Sequence, residues 1–123
     1  NPPYYTRVGL RYINIFSPDE YGGGWIGYFN EHLLGPIADP LLGPSIEESI
    51  QILNCAAEDW TITLRHGSAQ GHYRLDFDHA TETHVSPQQA QPRLQQFSER
   101  LFQLFRWSIT DRLHSAMEPT PRA

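Results

Sequence analysis

Three alternating runs between Glu48 and Asp78 constrain this chain more than any other feature of its sequence. Ile50 and Ile52 alternate with Ser49 and Gln51. Trp60, Ile62 and Leu64 alternate with Thr61, Thr63 and Arg65. Tyr73, Leu75 and Phe77 alternate with His72, Arg74, Asp76 and Asp78. A period of two describes an extended strand with one face turned to a core and the other to a different environment. Glu58-Asp59 and "HGSAQG" (His66–Gly71) supply turn residues between the runs, so the three read as an antiparallel meander. A fourth run, "RVGLRYINIF" (Arg7–Phe16), places Val8, Leu10 and Tyr12 on one face and Arg7, Gly9 and Arg11 on the other. Ser17-Pro18-Asp19 ends it.

The period changes after Ser86, which with Pro87 makes a helix start: serine as N-cap, proline at the first helical position. Pro92 then places the regular helix nearer Gln91, or kinks it there. Leu94, Phe97, Leu101, Leu104, Phe105 and Ser108 form a stripe at helical spacing. Phe102, Ile109 and Leu113 widen it beyond what one sheet face requires, and Trp107 lies off its centre. Pro119 and Pro121 stop the helix. Upstream, "YGGGWIGYFNEHLL" leads from a glycine cluster into a short helix anchored by Trp25, Tyr28, Phe29 and Leu33. Gly35–Pro44, with three prolines and two glycines, reads as an ordered loop or linker. The expected fold is α+β: an antiparallel sheet of about four strands, with a short helix and a long C-terminal helix packed on one face. Residues 1–123 form a single domain in this reading.

At 123 residues and 39% hydrophobic content the chain can build one core. The net charge of −5 argues against broad nucleic-acid binding. All nine basic residues are arginine, a bias that suits paired charges but also arises from a GC-rich genome. No segment approaches the roughly 20 apolar residues of a membrane span, so no membrane role is expected. The N-terminal "NPPYYTRV" lacks the regions of a signal peptide and an initiator Met, so the chain reads as the C-terminal part of a longer protein. Cys55 is the single cysteine, which excludes an internal disulfide and makes the cytoplasm the expected setting.

Candidate chemistry concentrates on two strand faces. Arg7 and Arg11, with Asn14 further along, lie on the first strand; Arg74, Asp76 and Asp78 lie on one face of the last. If these strands are neighbours, Arg11 pairs with Asp76 or Asp78. The face is then either an ordinary solvated surface, one covered by an N-terminal neighbour, or an arginine-rich groove for phosphate or a carboxylate. His66, His72, His79 and His84 crowd the same window, but their spacings match no ligand signature and His66 falls in a turn. No metal and no cofactor is expected. Gly22-x-Gly24-x-x-Gly27 satisfies G-x-G-x-x-G literally without the parallel βαβ context that gives it meaning; its expected role is a flexible turn that lets Trp25 dock. Cys55 has no basic neighbour and reads as a buried, inert thiol, and Ser68 and Ser98 lie in no nucleophile elbow.

"RVGLRYIN" resembles the R-x-G-[LV]-R-Y-x-N motif of a sporadically distributed bacterial family of uncharacterised proteins. "LDFD" (Leu75–Asp78) is similar to that family's L-x-D strand. Phe105, Ile109, Thr110, Asp111 and Leu113 are similar to its F-x-x-x-I-T-D-x-L segment. The resemblance spans nearly the whole chain and implies fold and length, as the C-terminal half of longer members. It implies no chemistry. Phe97-Ser98 departs from the family, whose members carry Leu-His there. The function expected from the sequence is a non-catalytic protein-interaction or oligomerisation domain. Its interface would use Phe102, Trp107, Ile109 and Leu113, and its partner would be a second copy or the missing N-terminal half. The alternative is a small anionic-ligand-binding or hydrolytic domain using the Arg/Asp face.

Overall fold

The computed structural model describes residues 5, 7–17, 25–57, 59–81 and 84–117. Pro18-Asp19, Gly22 and Gly24, Glu58, and Pro119 and Pro121, to which the sequence assigns turns and stops, lie outside the described residues. The chain is α+β. Strands β1 (Gly9–Phe16), β2 (Ser49–Ala56), β3 (Trp60–Ala69) and β4 (His72–Thr81) form one antiparallel sheet in the order β1-β4-β3-β2. β1 therefore occupies one edge, and the meander starts at the other edge and returns to pair with it. α1 (Glu31–Leu34) lies on the long connection between β1 and β2, which also holds two 3-10 turns at Gly35–Ala38 and Gly43–Ser45. α2 (Pro87–Ser108) and α3 (Asp111–Met117) close the chain.

The turn between β3 and β4 is tighter than the sequence suggests. Both strands run on through "HGSAQG", and only Gln70 and Gly71 turn, with φ of 54° and 80°. Two positive φ values in a two-residue loop match the right-handed twist of the flanking strands. His66 is consequently not a turn residue. It sits inside β3, buried, with its Nδ1 3.0 Å from the Tyr73 hydroxyl.

Period two then assigns the two faces. Leu10, Tyr12 and Phe16 of β1, Leu64 of β3, and Tyr73, Leu75, Phe77 and His79 of β4 turn inward, where Phe29, Leu33, Leu34, Leu101, Ile109 and Leu113 complete the core. Phe29 stacks on Tyr73 at 4.2 Å between centroids and meets Phe16 edge-on at 5.1 Å. His79 stacks on Phe97 at 3.8 Å. Its Nδ1 donates to the Thr61 carbonyl at 3.0 Å, and its Nε2 accepts from Arg100 at 3.3 Å. That pairing requires the neutral ring, and burial, the largest influence, pushes its pKa down accordingly.

α2 begins at Pro87 as the Ser86-Pro87 signal predicts, with the Ser86 N–H donating to the Gln89 side chain at 3.4 Å. It runs through Pro92 to Ser108 and stops there, ten residues before Pro119 would require. Ile109 is extended (φ −115°, ψ 153°) and forms a bridge with Phe29. Thr110 donates its N–H to the Tyr28 carbonyl at 2.9 Å, and its hydroxyl accepts from Leu113 N–H at 3.3 Å, capping α3. This break corrects the single long helix read from the spacing. It also turns Ile109 and Leu113 into the core, where they are 4% and 0% exposed.

A candidate anion site on the open face of the sheet

α1 and α2 pack on the core side of the sheet, and among the described residues no helix covers the opposite face. Arg11 and Ile15 of β1, Arg74 and Asp76 of β4, Arg65 of β3 and Ile50 of β2 line a cavity of about 490 Å³ on that open face. The register explains why they converge: Asp76 stands between Ile13 of β1 and Arg65 of β3, and Arg65 stands beside Ile52 of β2.

Asp76 is the centre. Although it faces away from the core, it is only 1% exposed. Arg11 reaches diagonally to it and donates twice, Nε to Oδ1 at 2.9 Å and Nη2 to Oδ2 at 2.6 Å. This fork-to-carboxylate geometry is the strong form of an ion pair. Arg74 approaches the same Oδ2 at 3.5 Å. Hydrogen bonding by Arg11 is the main cause that holds the Asp76 carboxyl below the usual carboxylate range, opposed by desolvation and aided by the charges of Arg11, Arg74 and Arg65. Arg65 itself makes no hydrogen bond or ion pair to another described residue, though it lies directly across from Asp76. Three guanidinium groups and one ionised carboxylate thus leave the cavity cationic within a chain of net charge −5.

One strand turn further, Arg7 pairs with Asp78 at 3.2 Å. Gly9 makes that reach possible. A Cβ at Gly9 would stand 2.9 Å from Arg7 Nη1 and 3.2 Å from the Ala80 Cβ. Arg7, just before β1, and Gly9 and Arg11 on it therefore act as one unit with Asp76 and Asp78 on β4. Tyr12, on the other face, anchors β1 to α2 through a 3.0 Å hydrogen bond to Ser98.

Other residues singled out from the sequence fall elsewhere. Asn14 is not part of the cluster: an odd offset from Arg11 sends it to the helix side, beside Phe102 and Phe105 in a shallow cleft of about 320 Å³. Ile109 and Leu113, expected at an interface, are core residues of the same chain. Phe102 and Trp107 remain exposed, yet five residues separate them on α2, about 140° around the helix, so they do not form one patch. Cys55 is exposed, not buried, because α2 packs over β1 and β4 and leaves β2 uncovered. Ile50 and Ile52 are exposed for a different reason: they lie on the open face of the sheet, away from α2. His72 hydrogen-bonds Ser17 at 3.1 Å. Among the described residues no three His, Cys, Asp or Glu side chains gather as a metal site.

The sequence reading missed Arg65. Its signal is the two-residue turn at Gln70-Gly71, which sets Arg65 opposite Asp76; a six-residue turn over "HGSAQG" hides that register. No family model, curated protein or solved structure matches this chain, so the site's chemistry is read from its own geometry.

Proposed function

We propose that this domain is a non-catalytic binding module that takes an anionic ligand on the open face of its sheet. The observation that carries the reading is Arg65, a guanidinium in the cavity that makes no ion pair with a described carboxylate, while Arg11 is committed to Asp76. Arg65 and Arg74 present donors suited to a carboxylate or phosphate, and Ile15 and Ile50 offer apolar contact on either side. Asp76 serves as an electrostatic anchor in this reading. Its carboxylate is held ionised by two hydrogen bonds from Arg11, which makes it a weak proton acceptor and supports binding over hydrolysis.

Titration with inorganic phosphate and with a small dicarboxylate, followed by amide chemical shifts, tests the proposal. Shifts should concentrate on β3 and β4 around Arg65 and Arg74. Arg65→Ala should weaken binding at least about tenfold, the scale of one lost charge-assisted contact. Arg7→Ala, outside the cavity, should leave it unchanged. Binding that ignores Arg65→Ala would reject the site.

A second reading, a protein-interaction or oligomerisation domain, is favoured by Ile13, Ile15, Ile50 and Ile52, all exposed on the same open face. Its partner would be a second copy or a further segment of a longer protein. A cytoplasmic setting belongs to both readings and is supported by the single, exposed cysteine.

A further inference from the structure

A phosphate or carboxylate group fills only a small part of the cavity at Arg65. Its volume of about 490 Å³ lies in the range of pockets that hold whole small molecules. The register defines the remainder. Across the open face, Ile15 of β1, Arg74 of β4, Gly67 of β3 and Ile50 of β2 stand in one row. Gly67 has no side chain, so the row is empty between Arg74 and Ile50. Ala69, two residues further along β3, keeps the same floor low. Ile15 and Ile50 are both more than half exposed. The cavity is therefore cationic at Arg65 and Arg74, and aliphatic over Gly67, Ala69 and Ile50.

We infer that the ligand is a free aliphatic carboxylate of medium chain length, its head on Arg65 and Arg74 and its alkyl body over Gly67 and Ala69 against Ile50. The inference rests on the anion site proposed above and specifies what that site takes. The planar fork of a guanidinium matches a carboxylate head, and Arg11 is already spent on Asp76. Among the described residues no Phe, Tyr or Trp lines the cavity, so it offers no stacking platform for the base of a nucleotide. From β4 to β2 is two strand spacings, about 10 Å, which a medium-length chain spans and a short acid does not. Burial of that chain against Ile50 removes apolar surface of both from water. The net charge of −5 opposes approach to an anionic bilayer, which favours a free molecule over a headgroup held in a membrane.

The test is a titration of the full chain with acetate, butanoate, hexanoate and octanoate, read by amide chemical shifts, with inorganic phosphate as the reference anion. Affinity should rise along the series, by at least about tenfold from acetate to octanoate, because each buried methylene adds to the transfer free energy. Octanoate should extend the shifts from Arg65 and Arg74 to Gly67, Ala69 and Ile50. Ile50→Asn, at a position already exposed, should cut the octanoate-to-acetate ratio at least about threefold, the scale of one lost methylene contact. Ile13→Asn, outside the cavity, should preserve that ratio, and Arg65→Ala should weaken every member of the series. Vesicles of mixed phosphatidylcholine and phosphatidylserine should not carry the protein down. Equal affinities for acetate and octanoate, with phosphate still bound at Arg65, overturn the inference and leave the anion site standing. A chain-length dependence that ignores Ile50→Asn also overturns it, as does sedimentation with vesicles in a protein that does not respond to octanoate. If neither phosphate nor any carboxylate shifts Arg65, the anion site itself falls and takes the inference with it.

Discussion

β1 and β2 both border the sheet, yet only β1 is tied to its neighbour by side chains of opposite charge. Arg7 holds Asp78, Arg11 holds Asp76, and Tyr12 reaches Ser98 on α2. The flank of β1 is shared with Phe102 and Phe105 of the same helix. β2 has its backbone ladder to β3 and a side-chain hydrogen bond from Thr63 to Asn54 at 3.0 Å. The position of α2 accounts for the difference. A helix laid over β1 and β4 buries one half of a four-stranded sheet and leaves the far strand with apolar residues and little to cover them. One edge is thus finished within the chain, and the other is left exposed.

The sharpest way to break that contrast is at Gly67, which pairs with Ile50 of β2. A Cβ there would stand 1.8 Å from the Ser49 carbonyl oxygen and 2.8 Å from the Ile50 Cα, both backbone atoms that cannot rotate away. Gly67→Ala should therefore displace β2 and lower stability by on the order of 3 kcal/mol or more, the range of strain and packing changes that exceed an ordinary substitution. Urea denaturation would measure the loss, and hydrogen exchange should show β2 amides opening while β1 and β4 stay protected. An unchanged urea midpoint would mean that the ladder can shift to admit a methyl group.

At the finished edge the corresponding change is Asp76→Asn, which removes the charge that Arg11, Arg74 and Arg65 surround. Its expected cost is about 2 kcal/mol, the scale of a charge-assisted pair left with uncompensated partners. Acid should act on the same group. The Asp76 carboxyl is depressed from its ordinary 3.8 by Arg11, so its stabilisation is complete above that value and is lost as pH falls through the lower folded value. Melting temperatures between pH 5 and pH 2 should drop more steeply in the parent protein than in Asp76→Asn; parallel curves would detach Asp76 from the acid response.

The smallest effect should come from two histidines on the core side. Burial pushes the pKa of both His66 and His79 down from 6.5. Each favours the folded state while neutral, so stability is full above about pH 6.5 and declines as pH falls below it. Melting temperature should fall gently from pH 7.5 to 5.5, and His79→Gln should flatten part of that slope. A rise on acidification would show that one of the rings gains a proton in the folded state.

Much of this architecture was legible from residue order. Alternation marked four strands, set Arg7 and Arg11 on one face of the first and Arg74, Asp76 and Asp78 on one face of the last, and made Arg11 a partner for Asp76 or Asp78 on condition that the two strands are neighbours. The same alternation excludes Asn14 from the face of Arg11, because the two are separated by an odd offset. The Thr110-Asp111 cap was likewise present in the sequence. It was hidden because Leu101, Phe105, Ile109 and Leu113 keep a spacing of four across the break, and periodicity by itself does not register an interruption of one turn.

Local sequence determined which residues extend, which coil and which side chains share a face, because those follow from the geometry of a few neighbouring residues. Tertiary structure decided which faces are covered. Strand order placed β1 beside β4, the line of α2 buried one half of the sheet, and the Phe29–Ile109 bridge drew the chain end inward. Those choices buried Asp76 on a nominally open face and left Arg65 without a hydrogen bond or ion pair to another described residue. They also exposed Cys55, Ile50 and Ile52, which by composition belong in a core. Burial depends on what packs against a residue from far along the chain, and period two carries no information about that.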